Sequence, residues 1–332
     1  MVKITVASMP AWLPSPRGKL FSLLYFIFAF ASSIHAAVKT EDITLRDDKR
    51  DKNIECRVYF SDTGAKLPLI VFSHGFGADK TAFSAISQFV AEHGYVIVHP
   101  SHMDGFGRSG NKQGVGGIGT LRAGGGLAEA ISDPAKIEGR TGDVVAVMDS
   151  IEQLYAKVPA LKNRIDTERI GVGGHSYGAY TSMLMGGVTA DLGGIKARSF
   201  ADPRVRCILP ISGQGTGQQG LTETSWASLK LPMMTITGSR DQGAGGQGSD
   251  WKKEPFKFSP HGDKYLVYIE GANHLSFGGG LGARSSGTTD VVKAAALAFW
   301  DAYLKHDDKS RELLKSGGVV KPFANVATIE SK

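Results

Sequence analysis

Four short, nearly continuous apolar runs constrain this chain most: Leu69 to Phe72 (LIVF), Tyr95 to Val98 (YVIV), Ile170 to Val172 and Cys207 to Ile211 (CILPI). A strand wet on one face alternates apolar and polar residues. An uninterrupted run that stops at Gly, His or Pro therefore reads as a parallel strand buried on both faces. Met233 to Ile236 and Tyr265 to Ile269 supply two more such strands. Helical patterns lie between them, at Lys80 to His93, Thr141 to Tyr155, Tyr177 to Met185 and Val291 to Lys305. This alternation predicts a doubly wound, mostly parallel α/β sheet. Upstream, Ile43 to Leu45 and Ile54 to Phe60 alternate in polarity and predict an opening antiparallel hairpin. No internal repeat is visible.

The 332 residues suffice for one sheet-centred core, and apolar and charged contents of 42% and 21% are ordinary. The 43 glycines are many and predict long, tightly turning loops. Residues 1–36 carry Lys3, Arg17 and Lys19 without an acid, then the apolar run Leu20 to Ala31, then small residues up to Ala36 and Ala37. That order is a secretory signal peptide cut near Ala36, and the run is shorter than the ~20 residues of a membrane-spanning helix. Residues 37–332 are then a single catalytic domain, secreted or periplasmic, with no stable membrane insertion once the leader is gone. An uncleaved signal anchor is the rival. Removing Lys3, Arg17 and Lys19 from the 38 Lys and Arg leaves 35 against 32 acids. No basic run suggests a nucleic-acid surface.

Gly174-His175-Ser176-Tyr177-Gly178 matches G-x-S-x-G, the sharp strand-to-helix turn that exposes a nucleophilic Ser. In a chain so rich in Gly, chance alone supplies about half a match, so the context decides. Arg169 to Gly173 reads as a strand entering the turn and Ala179 to Met185 as a helix leaving it. A serine hydroxyl needs a base, and the base an acid that orients it. Asp241, after Met233 to Ile236, and His274, after Tyr265 to Glu270, stand just beyond successive strands and are the expected acid and base. Asp250 lies deeper in the loop, Asp263 and His261 precede a strand, and His306 ends a helix. Ser73-His74-Gly75-Phe76-Gly77 follows the first buried strand, which makes the backbone N–H groups of Phe76 and Tyr177 the expected oxyanion hole. His99, His102 and Asp104 across a Pro-containing loop are a weak metal signature, and no metal or other cofactor is expected. Trp226, Trp251 and Phe277 flank the site loops and suit either a pocket wall or the core. The Gly-rich segments 101–138 and 240–250 are expected to be long loops, with binding and mere mobility both open.

FSHGFG, GHSYGAYTSML, TGSRD and EGANHLSF, in this order, resemble the bacterial "predicted dienelactone hydrolase" group. That group is related to platelet-activating-factor acetylhydrolases and, more distantly, to cutinase-like polyester hydrolases. The likeness spans roughly residues 50–305. It implies an α/β-hydrolase fold and a cofactor-free serine hydrolase of carboxylic esters, with Ser176, Asp241 and His274 as triad and Phe76 and Tyr177 as oxyanion donors. True dienelactone hydrolases use a cysteine where Ser176 stands. The sheet order of the resembled family also separates Cys56 from Cys207 by several strands, which implies two free thiols.

The function expected is therefore hydrolysis of small-molecule or polymeric esters, with short acyl chains favoured. Amide or polyester hydrolysis, a haloperoxidase-like side activity and a non-catalytic binding module of the same fold remain alternatives. Oligomeric state stays open. Only residues 213–231 lie between the sixth strand and the next, without a long amphipathic pattern, so no large cap is expected.

Overall fold

The computed structural model describes residues 37–104, 126–279 and 287–332. The expected leader, 1–36, and the middle of the Gly-rich segment, 105–125, lie outside them. Eleven strands are present among the described residues: β1 (Val38–Asp47), β2 (Lys52–Ser61), β3 (Leu67–Ser73), β4 (Val96–Pro100), β5 (Ile165–His175), β6 (Ala190–Leu192), β7 (Ile195–Arg198), β8 (Val205–Ile211), β9 (Met233–Arg240), β10 (Lys264–Asn273) and β11 (Ala327–Ser331). The helices are α1 (Ser84–Glu92), α2 (Gly126–Ser132), α3 (Pro134–Asp149), α4 (Ile151–Lys157), α5 (Tyr177–Met185), α6 (Ser249–Phe258), α7 (Thr288–Leu304) and α8 (Asp308–Lys315).

Nine strands form one sheet in the order β1-β2-β4-β3-β5-β8-β9-β10-β11, and β6 and β7 form a small separate ribbon. From β4 to β10 every neighbouring pair is parallel. The N-terminal hairpin joins β4 antiparallel at one side, and β11 closes β10 antiparallel at the other. The mostly parallel sheet with its opening hairpin is the one expected, and β11 adds an edge strand that its short, half-polar sequence did not announce. Cys56 on β2 and Cys207 on β8 are buried and not joined in a disulfide, with β4, β3 and β5 between their strands.

Each central strand feeds two cores. Leu69 and Val71 of β3 face one side with Ile170 and Val172 of β5, while Ile70 and Phe72 face the other with Leu209 and Ile211 of β8. All are at most 5% exposed, and burying each such side chain contributes about 1.5–3 kcal/mol. The Gly-rich sequence of β5 belongs to this packing. A Cβ on Gly171 would stand 2.6 Å from Cζ3 of Trp300, so the bare backbone is the seat on which α7 lies.

Helix boundaries depart from the sequence expectation at several points, two of which bear on the loops around the site. Residues 126–138 form α2 and the start of α3 rather than loop. Asp133 caps α3 by accepting from the Ala135 N–H, and Pro134 follows at the first helical position. Asp250, read as loop, begins the exposed first turn of α6, where it pairs with Lys253. Between β8 and β9 the chain holds a 3-10 turn, Glu223–Trp226, and no long helix.

Helix α5 meets the end of β3 through backbone alone. A Cβ on Gly178 would overlap the carbonyl of Ser73, and no rotamer change relieves a backbone clash. Gly178→Ala should therefore cost more than about 3 kcal/mol, beyond the usual range for an overpacked side chain. Gly139→Ala meets nothing within 4 Å inside α3 and should instead stabilise by about 0.5–1 kcal/mol. Urea midpoints of the two variants check the contrast, and near-equal midpoints would show that the approach is not tight.

Candidate active site

β5 runs directly into Ser176, which takes φ 55° and ψ −116° before α5 begins at Tyr177. A non-Gly residue at positive φ costs on the order of 1–3 kcal/mol, so the surroundings must impose it. They do: the Ser176 N–H donates to Ile211 O at 3.0 Å, continuing the β5–β8 ladder, while Ser176 O already accepts from the Tyr180 N–H of the helix. The hydroxyl is thereby held at the carboxyl ends of the central strands, half-buried.

Three residues picked from the sequence meet there. Ser176 Oγ lies 3.0 Å from His274 Nε2, and His274 Nδ1 lies 3.0 Å from Asp241 Oδ1. A carboxylate only accepts, so the imidazole proton sits on Nδ1 and Nε2 is free to accept from Ser176. Asp241 is fully buried at the end of β9. It also accepts from Ser212 Oγ and Thr237 Oγ1, each at 2.9 Å. Burial pulls its pKa up, but the His274 hydrogen bond, the nearby Lys252 charge and Ser212 outweigh that and leave it below the ordinary carboxylate value. Ser212 Oγ stands 2.9 Å from His274 Nδ1 as well, a second acceptor for the same N–H. Lys252, on α6 and 1% exposed, donates from Nζ to Ser212 O at 3.1 Å. Burial pushes its ammonium down to about 8 against the attraction of Asp241. His175 Nε2 donates to the backbone carbonyl of His274 at 2.8 Å and steadies the base from below.

The segment expected to supply an oxyanion donor lies against Ser176, since a Cβ on Gly75 would be 3.5 Å from Ser176 Cβ. The rings of Phe76 and Tyr177 approach to 6.0 Å between centroids. Beneath this segment lies a buried polar layer that sequence reasoning missed. His102 Nδ1 donates to Asp143 Oδ2 at 2.9 Å, and its Nε2 accepts from Ser73 Oγ at 3.1 Å. Asp143, from α3, also takes Lys52 Nζ at 2.7 Å and Arg50 Nη2 at 2.8 Å, which ties the opening hairpin to the underside of the site. Burial works against this carboxylate, yet His102 and Lys52 hold it down to about 2.

These contacts also settle the weaker candidates. His99 stacks on Phe72 and bonds Ser87, His102 is committed to Asp143, and Asp104 pairs with Arg140, so the three serve separate partners. Trp226 and Phe277 are fully buried core residues, and Trp251 donates to Thr216 O at 2.8 Å. His261 and His306 are exposed, and Asp263 is a turn residue with φ 52°. Thr237 had a visible signal, on β9 four residues before the expected acid, and Ser212 a fainter one, just past the end of β8. Lys252, Arg140 and Asp143 had none, because each reaches the site from a distant helix.

Strand order, parallel crossovers and the strained turn at Ser176 define an α/β-hydrolase fold. Within that class the chain is similar to platelet-activating factor acetylhydrolases over part of its length. Residues 46–109 match the family described as platelet-activating factor acetylhydrolase, isoform II. The platelet-activating factor acetylhydrolase of Canis lupus familiaris is 27% identical over 236 residues, covering 65% of this chain and 49% of the relative. That of Bos taurus is 32% identical over 141 residues, covering 36% and 32%. That of Cavia porcellus is 25% identical over 283 residues, covering 74% and 59%. The chain thus matches from about a third to somewhat over half of the length of these relatives.

Four imidazoles around the site are held neutral, foremost by burial. His99 and His175 are pushed down to about 3, His74 lies well below its ordinary value and His102 below it. Unfolded, each takes a proton near pH 6.5 that the native state resists, so their contribution to stability is complete above that pH and is lost as pH falls through the lower native value, about 3 for His99 and His175. Unfolding free energy should fall by about 1.4 kcal/mol per pH unit for each of His99 and His175 between about pH 6 and pH 3, with His74 and His102 adding in the same direction. Denaturant titrations at pH 7, 6 and 5 measure the slope, and His99→Gln should reduce it by about one proton. A flat profile over that range would contradict the buried neutral assignment.

Proposed function

We propose that this chain is a serine hydrolase of carboxylic esters that works through an acyl-enzyme. His274 takes the proton of Ser176 as Oγ attacks the ester carbonyl, and Asp241 holds the imidazole in the required tautomer and stabilises it once charged. The backbone N–H groups of Phe76 and Tyr177 receive the negative charge of the tetrahedral intermediate. His274 returns the proton to the departing alcohol, and water then releases the acid by the same steps in reverse roles. The observation that carries this reading is the unbroken hydrogen-bond chain from Ser176 through His274 to Asp241, set on the strained turn.

The relatives named acetylhydrolases remove a two-carbon acyl group, which favours short acyl esters for this chain too. The lack of a long helix between β8 and β9 points the same way, because a shallow site gains little of the ~0.8 kcal/mol per methylene that full burial brings. Secretion after cleavage near Ala36 belongs to the same proposal. Among the described residues no helix is long and apolar enough to cross a membrane.

A fluorophosphonate probe should label Ser176, and Ser176→Ala should abolish labelling and lower turnover by about six orders of magnitude. Near-normal turnover in Ser176→Ala would refute the assignment. Across p-nitrophenyl esters of rising length, rates should peak at about two to six acyl carbons and show no jump at the solubility limit. Preference for long-chain triglycerides with such a jump would instead show a lid over the site.

A further inference from the structure

Arg140 lies in α3, 1% exposed, yet its guanidinium spends its donors on the segment that carries one proposed oxyanion donor. Nη1 donates to His74 O at 2.7 Å and Nη2 to Gly75 O at 3.3 Å. The rest of the group is turned to Asp104, at 2.8 Å from Nη2 and 3.1 Å from Nε. The guanidinium carbon also sits 4.3 Å from the ring centroid of Tyr177, the residue that carries the other proposed donor.

A second donor converges on the same carbonyl. The His102 backbone N–H donates to His74 Nε2 at 3.0 Å, so that nitrogen is unprotonated and the proton of the neutral ring is on Nδ1. Nδ1 then donates to Gly75 O at 2.7 Å. The 3.4 Å approach of Arg140 Nη2 to the same Nδ1 is thereby a contact between two donors rather than a hydrogen bond. Gly75 O and the Phe76 N–H belong to one peptide group. Donation to a carbonyl draws density from its amide and strengthens the N–H as a donor, and a cationic donor does this most in a low-dielectric setting.

We propose that Arg140 is a positioning residue of the oxyanion hole: through Gly75 O it polarises and fixes the Phe76 N–H, and through the Tyr177 ring it sets the second donor. This rests on the serine-hydrolase reading above. Arg140 is buried and its hydrogen bonds go to the loop and to Asp104 rather than to Ser176, so its effect belongs to the transition state and not to ground-state binding.

The test removes the cation without stranding its carboxylate. In Arg140→Gln/Asp104→Asn, kcat on p-nitrophenyl acetate should fall about 10- to 100-fold, with KM within about twofold. Affinity for a short-chain trifluoromethyl ketone, whose adduct with Ser176 places an oxyanion in the hole, should fall by the same factor. Arg140→Lys keeps the charge but not the fork, and should show a smaller, parallel loss of about 3- to 10-fold. Should the double variant fail to fold, the lysine variant alone decides. Wild-type kcat and inhibitor affinity in a folded variant, or a loss confined to KM, would overturn the role of Arg140 while Ser176→Ala still reports on the hydrolase reading. Activity surviving in Ser176→Ala would remove that reading itself, whatever Arg140 does.

Discussion

The backbone contact between Gly178 and the Ser73 carbonyl is the constraint on which the site depends. With no side chain between them, the first turn of α5 lies directly on the end of β3. That leaves one residue, Ser176, to turn the chain from the end of β5 into the helix, and the positive φ follows. The same approach brings the segment after β3 against Ser176. One close contact thus sets the strain, the exposure of the hydroxyl and the neighbourhood of both proposed oxyanion donors.

Beneath that contact the molecule accepts buried charge to gain rigidity. Asp143, Lys52, Arg50 and His102 form one network, and Arg140 with Asp104 forms another against the His74 and Gly75 carbonyls. Buried ion pairs contribute little net stability once desolvation is counted, and breaking one partner is costly. Their value here is geometric, since apolar replacements would pack but would take the Arg140 donor from the His74 carbonyl and one of several donors from that of Gly75. The neutral imidazoles belong to the same trade: they complete hydrogen bonds in the interior at the expense of tolerance to acid.

How much of this was legible in the sequence follows from where each signal lies. Strands such as β3 and β8 are buried on both faces, so their uninterrupted apolar runs identified them. Ser176, Asp241 and His274 were found because each stands at a strand end, in chain order, beside a local motif. β11 and α6 were missed for opposite reasons. β11 is short and exposes most of its residues at a sheet edge, while α6 is charged, follows a Gly-rich stretch and contains Pro255. At α3 the signal was present, since Asp133-Pro134 is a helix start, but the glycines before it masked it. The buried partners had no local pattern, because Asp143 and His102 are 41 residues apart and only the fold joins them.

Asp241 receives three donors and Ser176 is locked by the backbone, whereas the His274 side chain is a third exposed and has one partner at Nε2. The three parts of the site are therefore unequal in stiffness. Asp241 and Ser176 behave as fixed posts, and the imidazole as a hinged plate between them. On the proposed reading the proton must leave Ser176 and arrive at an alcohol oxygen a short distance away. With both posts immobile, that transfer is a small rocking of one ring about its bond to Asp241.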